Sequence, residues 1–238
     1  MNIPISDRLL ACAAYVNPGD RVADVGCDHG YLGIYLLKRN IAKHVLASDL
    51  RKGPLQSARD NAEIYGVSDR MEFFLSDGLR SVPHEFDTLV CAGMGAETMI
   101  SILEAAPWLK KAGYRLILQC QIKNHLLRRY LSEHGFRILE EQVLRDGRFL
   151  YTVLEAVYDP GSRELTPGQW YIPSVMMEAP DPDFPQYFFW IKGGLHKIVV
   201  SRGDKAPDWM RAADQELEAT AQSDPCLKAY EEEHNEGI

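Results

Sequence analysis

The stretch VADVGCDHGYLG, residues 22–33, constrains this chain more than any other. Arg21-Val22-Ala23-Asp24-Val25 reads as a short buried strand, and a helix beginning near His29 carries Tyr31, Leu32, Ile34, Tyr35 and Leu36. Between them Asp24, Gly26, Asp28 and Gly30 write D-x-G-x-D-x-G. A strand, a tight glycine turn and a helix N-terminus make a nucleotide-shaped pocket. The glycines let the backbone approach the ligand, and the helix amides sit beside it.

The spacing narrows the ligand. A dinucleotide fingerprint is G-x-G-x-x-G, whereas the chain from Gly26 reads G-C-D-H-G-Y-L-G. Asp28 stands where the close-approach glycine belongs, and its carboxylate would face a pyrophosphate unfavourably. The same carboxylate suits S-adenosylmethionine, which carries an ammonium and a sulfonium, and Asp24 suits it equally. Asp49 closes the second expected strand and is placed to accept from ribose hydroxyls, with Leu50 beside it. Ser76, Asp77 and Gly78 close the third; Asp77 can accept from the adenine amino group while Gly78 leaves room for the ring. An Asp at one strand end is as often a turn former or helix cap. Four at the ends of three strands are expected to form a cofactor site, with Cys27, Gly30, Ala92 and Gly93 in its wall.

The rest of the chain supplies the scaffold. Ser6 caps a helix through about residue 16. Strands are expected at 44–49, 70–75, 86–91 and 114–120, alternating with helices at 53–65, 96–106 and 123–134. Residues 136–143 and 149–158 read as two strands joined at Arg145-Asp146-Gly147. The pattern predicts an α/β class I methyltransferase: a Rossmann-like, seven-stranded sheet with one antiparallel strand, spanning residues 1–160. Residues 161–238 are expected to form a second region. A proline-rich linker or wrapped segment (Pro167, Pro173, Pro180, Pro182) leads to a helical coiled-coil hairpin. Its first helix spaces Phe184, Phe188, Ile191, Leu195 and Ile198 by four and three; the second carries Met210, Ala213, Leu217 and Thr220, and a frayed polar end follows Cys226.

Composition excludes several classes. No run of about eighteen apolar residues spans a membrane, and no export signal opens the chain, so a cytoplasmic protein is expected. Five separated cysteines without C-x-x-C argue for reduced thiols, and no histidine–acid spacing points to a metal. A net charge of −8 does not favour nucleic acid, yet residues 108–148 hold nine Lys and Arg, among them Arg115, Arg128, Arg145 and Arg148. They form either a basic face or a solvated helix surface.

Several segments carry a resemblance: VADVGCDHGYL, VCAGMGAETM, RLILQCQ and GFRILEEQVLRDGRFLYTVLEA. Together they look like the bacterial TrmK family of tRNA (adenine-22-N1)-methyltransferases, over nearly the whole chain. The resemblance implies a Rossmann-like catalytic domain, a helical coiled-coil domain, S-adenosylmethionine as cofactor and tRNA as substrate. Where many relatives have Gln-Pro-Asn after the fifth strand, this chain has Gln119-Cys120-Gln121, with Asn124 following. Gln119 and Asn124 are the expected base contacts there.

The loop after the fourth strand, Ala92-Gly93-Met94-Gly95, has no side-chain oxygen and no ring. That suits an acceptor with its own lone pair, such as adenine N1, which needs alignment more than deprotonation. N1 is hidden by base pairing, so the base must be flipped out or unpaired. Gly93 and Met94 are assigned beneath the transferred methyl and Asp28 to the cationic product, with His29 as an assisting group or a cap. Arg8 is a candidate for a phosphate or the cofactor carboxylate, or for a surface salt bridge. Tyr31 is a candidate stacking ring or a half-buried packing residue. A methyltransferase of small molecules or proteins, and a non-catalytic module binding S-adenosylmethionine or RNA, remain alternatives. The protein is expected to act as a monomer.

Overall fold

The computed structural model describes residues 2–178 and 181–235. Pro180 of the wrapped segment and residues 236–238 of the C-terminal end lie outside them.

Seven strands form one sheet: β1 Arg21–Val25, β2 His44–Asp49, β3 Met71–Leu75, β4 Thr88–Met94, β5 Arg115–Cys120, β6 Phe136–Asp146 and β7 Phe149–Tyr158. Their order is β3-β2-β1-β4-β5-β7-β6. Strands β3 through β5 pair in parallel, and β7 runs antiparallel to both of its neighbours. This is the expected sheet. Its central strands are buried almost throughout, as parallel strands covered on both faces must be.

Helices α1 Asp7–Ala14, α2 Tyr31–Lys38 and α3 Lys52–Ile64 cover one face. Their Cys12, Ile34, Leu36 and Ala58 pack against Val22, Val45 and Val90. Helices α4 Ala96–Glu104 and α5 Asn124–Glu133 cover the other, through Met99, Leu103, Leu127 and Leu131. Ser6 accepts the Leu9 amide and caps α1. Because Asp28 (φ 49°) and Gly30 (φ 74°) are left-handed, α2 begins at Tyr31, not near His29.

Strand β4 runs three residues beyond its expected end. Its pairing with β5 shifts register between Ala92 and Met94, and Gly93 (φ 80°) is the bulged residue.

The proline-rich segment is not a free linker. It folds into α6 Pro167–Tyr171 and α7 Val175–Glu178. Pro167 fills the first turn of α6, and Thr166 with Gln169 closes a capping box. Beyond it, α8 Phe184–Arg202, α9 Asp208–Ser223 and α10 Pro225–Asn235 complete the chain. A third apolar cluster joins Phe188, Leu195, Met210, Leu217 and Leu227 to Val143 of β6. The expected two-helix seam is corrected in three places. Ile198 is 46% exposed, Ala221 is buried where Thr220 was expected, and the expected frayed end is a third helix anchored by Leu227.

The nine basic residues do not make one face. Arg128 is buried against Glu141 at 2.6 Å, and Arg115 pairs with Glu155 at 2.7 Å.

Candidate active site

A cleft of about 400 Å³ opens at the carboxyl ends of β1 to β4, where the strand order reverses direction. That is where open α/β sheets bind ligands. Gly26 lines it after β1, Leu50 after β2, Ser76, Asp77 and Gly78 after β3, and Met94 at the end of β4. These six expected residues are brought together. The far wall is one face of α4, with Glu97, Thr98, Ser101 and Ile102, continued by Ala105 at its C-cap. Sequence reasoning missed that wall. Its signal was present, since positions 97, 98, 101, 102 and 105 recur at helical spacing just after the glycine loop.

Asp49 is buried at the end of β2. Its Oδ1 accepts the Arg51 amide at 2.8 Å and its Oδ2 the Asp28 amide at 3.3 Å. Each carboxylate oxygen keeps a second lone pair for a further donor. These bonds tie the tip of the β2 turn to the glycine turn after β1. Leu50, 68% exposed, stands over the cleft as an uncovered apolar surface.

Asp24 lies deeper, 4% exposed. Burial pushes its carboxyl up to about 7; the Asp49 charge adds to the rise and the Gly33 backbone N–H opposes it. Asp24 Oδ2 has no hydrogen-bond partner among the described residues. An orphaned buried carboxylate oxygen fits a cationic ligand and fits a pyrophosphate badly. Because the folded pKa is raised, the stability this group contributes is full at acid pH. It is lost progressively as the pH rises from about 3.8 to about 7, and changes no further above that. Thermal melts of the ligand-free protein are therefore expected to fall across that window, and Asp24→Asn to flatten the fall. A wild-type melting curve indifferent to pH there would refute the assignment.

Gly26 (φ 75°) and Met94 meet across the floor of the cleft. A Cβ on Gly26 would sit 2.1 Å from Met94 Cε. Gly26→Ala is expected to destabilise by about 1–2 kcal/mol through the left-handed backbone, because the Met94 methyl is the far end of a flexible side chain and can swing aside cheaply. Adding Met94→Ala should therefore restore little of the loss, which paired thermal melts can check.

The remaining candidates spread around this floor. Cys27, Gly30 and Ala92 form its backbone surroundings rather than its lining. Asp28 and His29 are not in the lining of the cleft; they lie 3.7 Å apart and more than half exposed. Tyr31 pairs with the His29 ring at a centroid distance of 5.9 Å. Arg8 donates to Asp146 at 2.6 Å and lies over the Tyr151 ring at 5.2 Å. It also flanks Gly93: a Cβ there would come within 4.0 Å of Arg8 Nη1 and 3.8 Å of Gln121 Nε2.

One expected base contact is corrected. Gln119 is fully buried, and its Oε1 accepts the Gly93 amide at 3.0 Å. It positions the Gly93 bulge and is not turned to a substrate. Asn124 donates to Thr152 Oγ1 at 3.2 Å and lines a second groove, next to the Gly93 side of the cleft. Cysteine nucleophiles are also excluded at Cys12, Cys27, Cys91 and Cys120, whose thiols are buried and pushed up, Cys120 to about 11. No group of three potential metal ligands occurs among the described residues.

Comparison with known proteins agrees with this geometry. A family model described as a methyltransferase domain matches residues 5–154. The tRNA (adenine(22)-N(1))-methyltransferase of Bacillus subtilis is 31% identical over 163 residues, covering 68% of this chain and 68% of that protein. The crystal structure of the B. subtilis M1A22 tRNA methyltransferase TrmK is similar with a TM-score of 0.77 and 26% identity. The match covers 96% of this chain and 99% of that one. A Streptococcus pneumoniae protein in complex with S-adenosyl-L-methionine matches with a TM-score of 0.78 and 28% identity, over 90% of this chain and 98% of that one. The chain belongs to the TrmK family of tRNA (adenine-22-N1)-methyltransferases.

Proposed function

We propose that this protein transfers a methyl group from S-adenosylmethionine to N1 of an adenine in tRNA, as its relatives are named for doing. The observation that carries this is the Gly93-Met94 bulge, whose Met94 floors the cleft, together with the orphaned buried oxygen of Asp24 near the end of β1. When bound, the cofactor supplies a methyl group on a positively charged sulfur. Asp49 is assigned to the ribose hydroxyls, Leu50 to one face of the adenine and Asp77 to its amino group, with Ser76 and Gly78 shaping the wall. Asp24 is assigned to the ammonium. A cation beside it draws its pKa back down, so cofactor affinity is expected to increase with pH through about 7.

On the acceptor side, Gln119 holds the Gly93 amide and the bulge aligns the incoming base. N1 brings its own lone pair, so the lack of a side-chain oxygen in this loop fits the chemistry. Asp28 is assigned to the positive charge that the methylated ring acquires, with His29 beside it. Arg8 and Gln121 flank the entrance. We further assign residues 1–160 to a catalytic domain and 161–238 to a helical domain that grips the tRNA by shape, the protein acting as a cytoplasmic monomer. No helix among the described residues is long and apolar enough to cross a membrane.

The test is incubation with unmodified bulk tRNA and labelled S-adenosylmethionine, followed by digestion to nucleosides. Label is expected in 1-methyladenosine. Label confined to another nucleoside, or none in RNA, would reject the reading.

A further inference from the structure

A second groove of about 330 Å³ lies between the N-terminus of α5, the β6–β7 hairpin and α8. Its lining is unusual for a solvent-facing surface. Trp190 is 63% exposed, Ile122 60% and, where the groove continues along the hairpin, Phe149 53%. His125 lies in it, stacked on Tyr171 at 4.6 Å, and is kept neutral because burial pushes it down to about 4. Asn124 Oδ1 has no partner there among the described residues. Patches of exposed rings of this kind mark binding sites.

The groove is continuous with the acceptor side of the cleft. Gln121 lines it and also flanks Gly93, and Ile122 lines it and packs against Gly95. Tyr151 lines it and carries Arg8, the other flank of Gly93. Arg148 stands over the Phe149 ring at 4.9 Å, so a guanidinium borders the aromatic floor. Helix α8 lines the groove with Tyr187, Trp190, Ile191, Gly194, Leu195 and Ile198, of which Trp190, Gly194 and Ile198 follow one another turn by turn. Gly194 is poor helix material, and a Cβ on it would meet nothing within 4 Å. The fold does not require glycine there, and the missing side chain keeps the groove open.

We propose that this groove takes the nucleobase adjoining the methylated adenine, stacked on Trp190; the inference rests on the function proposed above. Flipping one base out of a folded RNA strips a neighbour of its stacking partner, at a cost in free energy. An aromatic platform beside the reaction site restores that stacking whatever the base, and nearby guanidinium groups meet the phosphates. A nucleobase therefore fits what is here: rings with exposed faces, a neutral histidine and cations at the border.

Two variants test it from opposite directions. Trp190→Ala removes the platform, and Gly194→Leu fills the groove from a position with room for a side chain. In each, KM for unmodified tRNA is expected to rise about tenfold with kcat within about twofold and S-adenosylmethionine binding unchanged. Trp190→Phe should restore most of the loss, and wild-type fluorescence in excess of the Trp190→Phe signal should be quenched by tRNA. Unchanged KM in both Ala and Leu variants overturns the proposal whatever the fluorescence does. So does a wild-type dimer by sedimentation that Trp190→Ala dissolves, since a second copy would then cover the groove. If the wild type methylates no tRNA, the proposed function fails on its own, and tRNA quenching of Trp190 alone decides the groove.

Discussion

Asp49→Ala should weaken S-adenosylmethionine binding on the order of 100-fold or more, measured by calorimetry. The expectation combines two losses. The assigned hydrogen bonds from ribose hydroxyls to a charged acceptor contribute about 1.5–3 kcal/mol each, and about 2.7 kcal/mol corresponds to 100-fold. The same carboxylate also holds the amides of Asp28 and Arg51, so its removal loosens the glycine turn that frames the cleft. Asp49→Asn separates the two. It keeps an acceptor for one amide but puts a donor where the second oxygen stood. Asp49→Asn should therefore keep the wild-type Tm within a few degrees while still losing most of the affinity. Near-wild-type calorimetric binding in Asp49→Ala would remove the pocket assignment and, with it, the assignments of Leu50 and Asp77. Asp24→Asn should behave differently, losing affinity mainly above pH 7, because only there does the carboxyl carry its charge.

The parts of this arrangement that sequence revealed are those set by local pattern. β1 and β2 fall on the expected residues because apolar runs bounded by turns leave few alternatives. Gly26, Leu50, Ser76, Asp77, Gly78 and Met94 could be placed in one cleft because strand ends in a parallel sheet converge. What stayed hidden depended on contacts between distant segments. Gln119 reads as a polar residue at a strand end, and only the bulge at Gly93 gives its side chain a partner. A glycine-containing stretch does not advertise a strand, so the extension of β4 through Met94 needed the β5 register to become visible. The prolines at 167, 173 and 182 read as a linker, yet Pro167 starts a helix and the segment packs on α5 and α9. Ile198 matched a heptad spacing but is exposed, because the seam passes from Leu195 to Val199, one residue further on.

Arg128 is the largest reversal of this kind and leads to the strongest expectation for stability. In sequence it is one of nine cations on a possible surface stripe; in the structure it is 1% exposed. Its guanidinium makes a forked pair with Glu141, Nη2 to Oε1 at 2.6 Å and Nε to Oε2 at 2.9 Å. Nη1 donates to the Trp170 and Tyr171 carbonyls, at 3.1 and 2.6 Å, and Nη2 reaches the Tyr187 hydroxyl at 3.4 Å. One side chain thus ties α5 to β6, α6 and α8. Burial disfavours its charge, but the Glu141 carboxylate prevails and the guanidinium stays firmly protonated. Arg128→Ala would leave Glu141 charged, buried and alone, which costs about 3–5 kcal/mol and a fall in Tm of roughly 10 °C. Replacing both partners, as Arg128→Met with Glu141→Leu, should recover much of that, because an apolar pair of similar volume avoids the unpaired charge. Recovery should stop short of wild type by about 1–3 kcal/mol, since the two carbonyls on α6 lose their donor. The cofactor cleft touches none of these groups, so below the melting transition Arg128→Ala should bind S-adenosylmethionine as wild type does while its KM for tRNA rises. A loss under about 1 kcal/mol in Arg128→Ala, or a cofactor affinity that falls with it, would show that α6 and α8 are not held to the sheet through this residue.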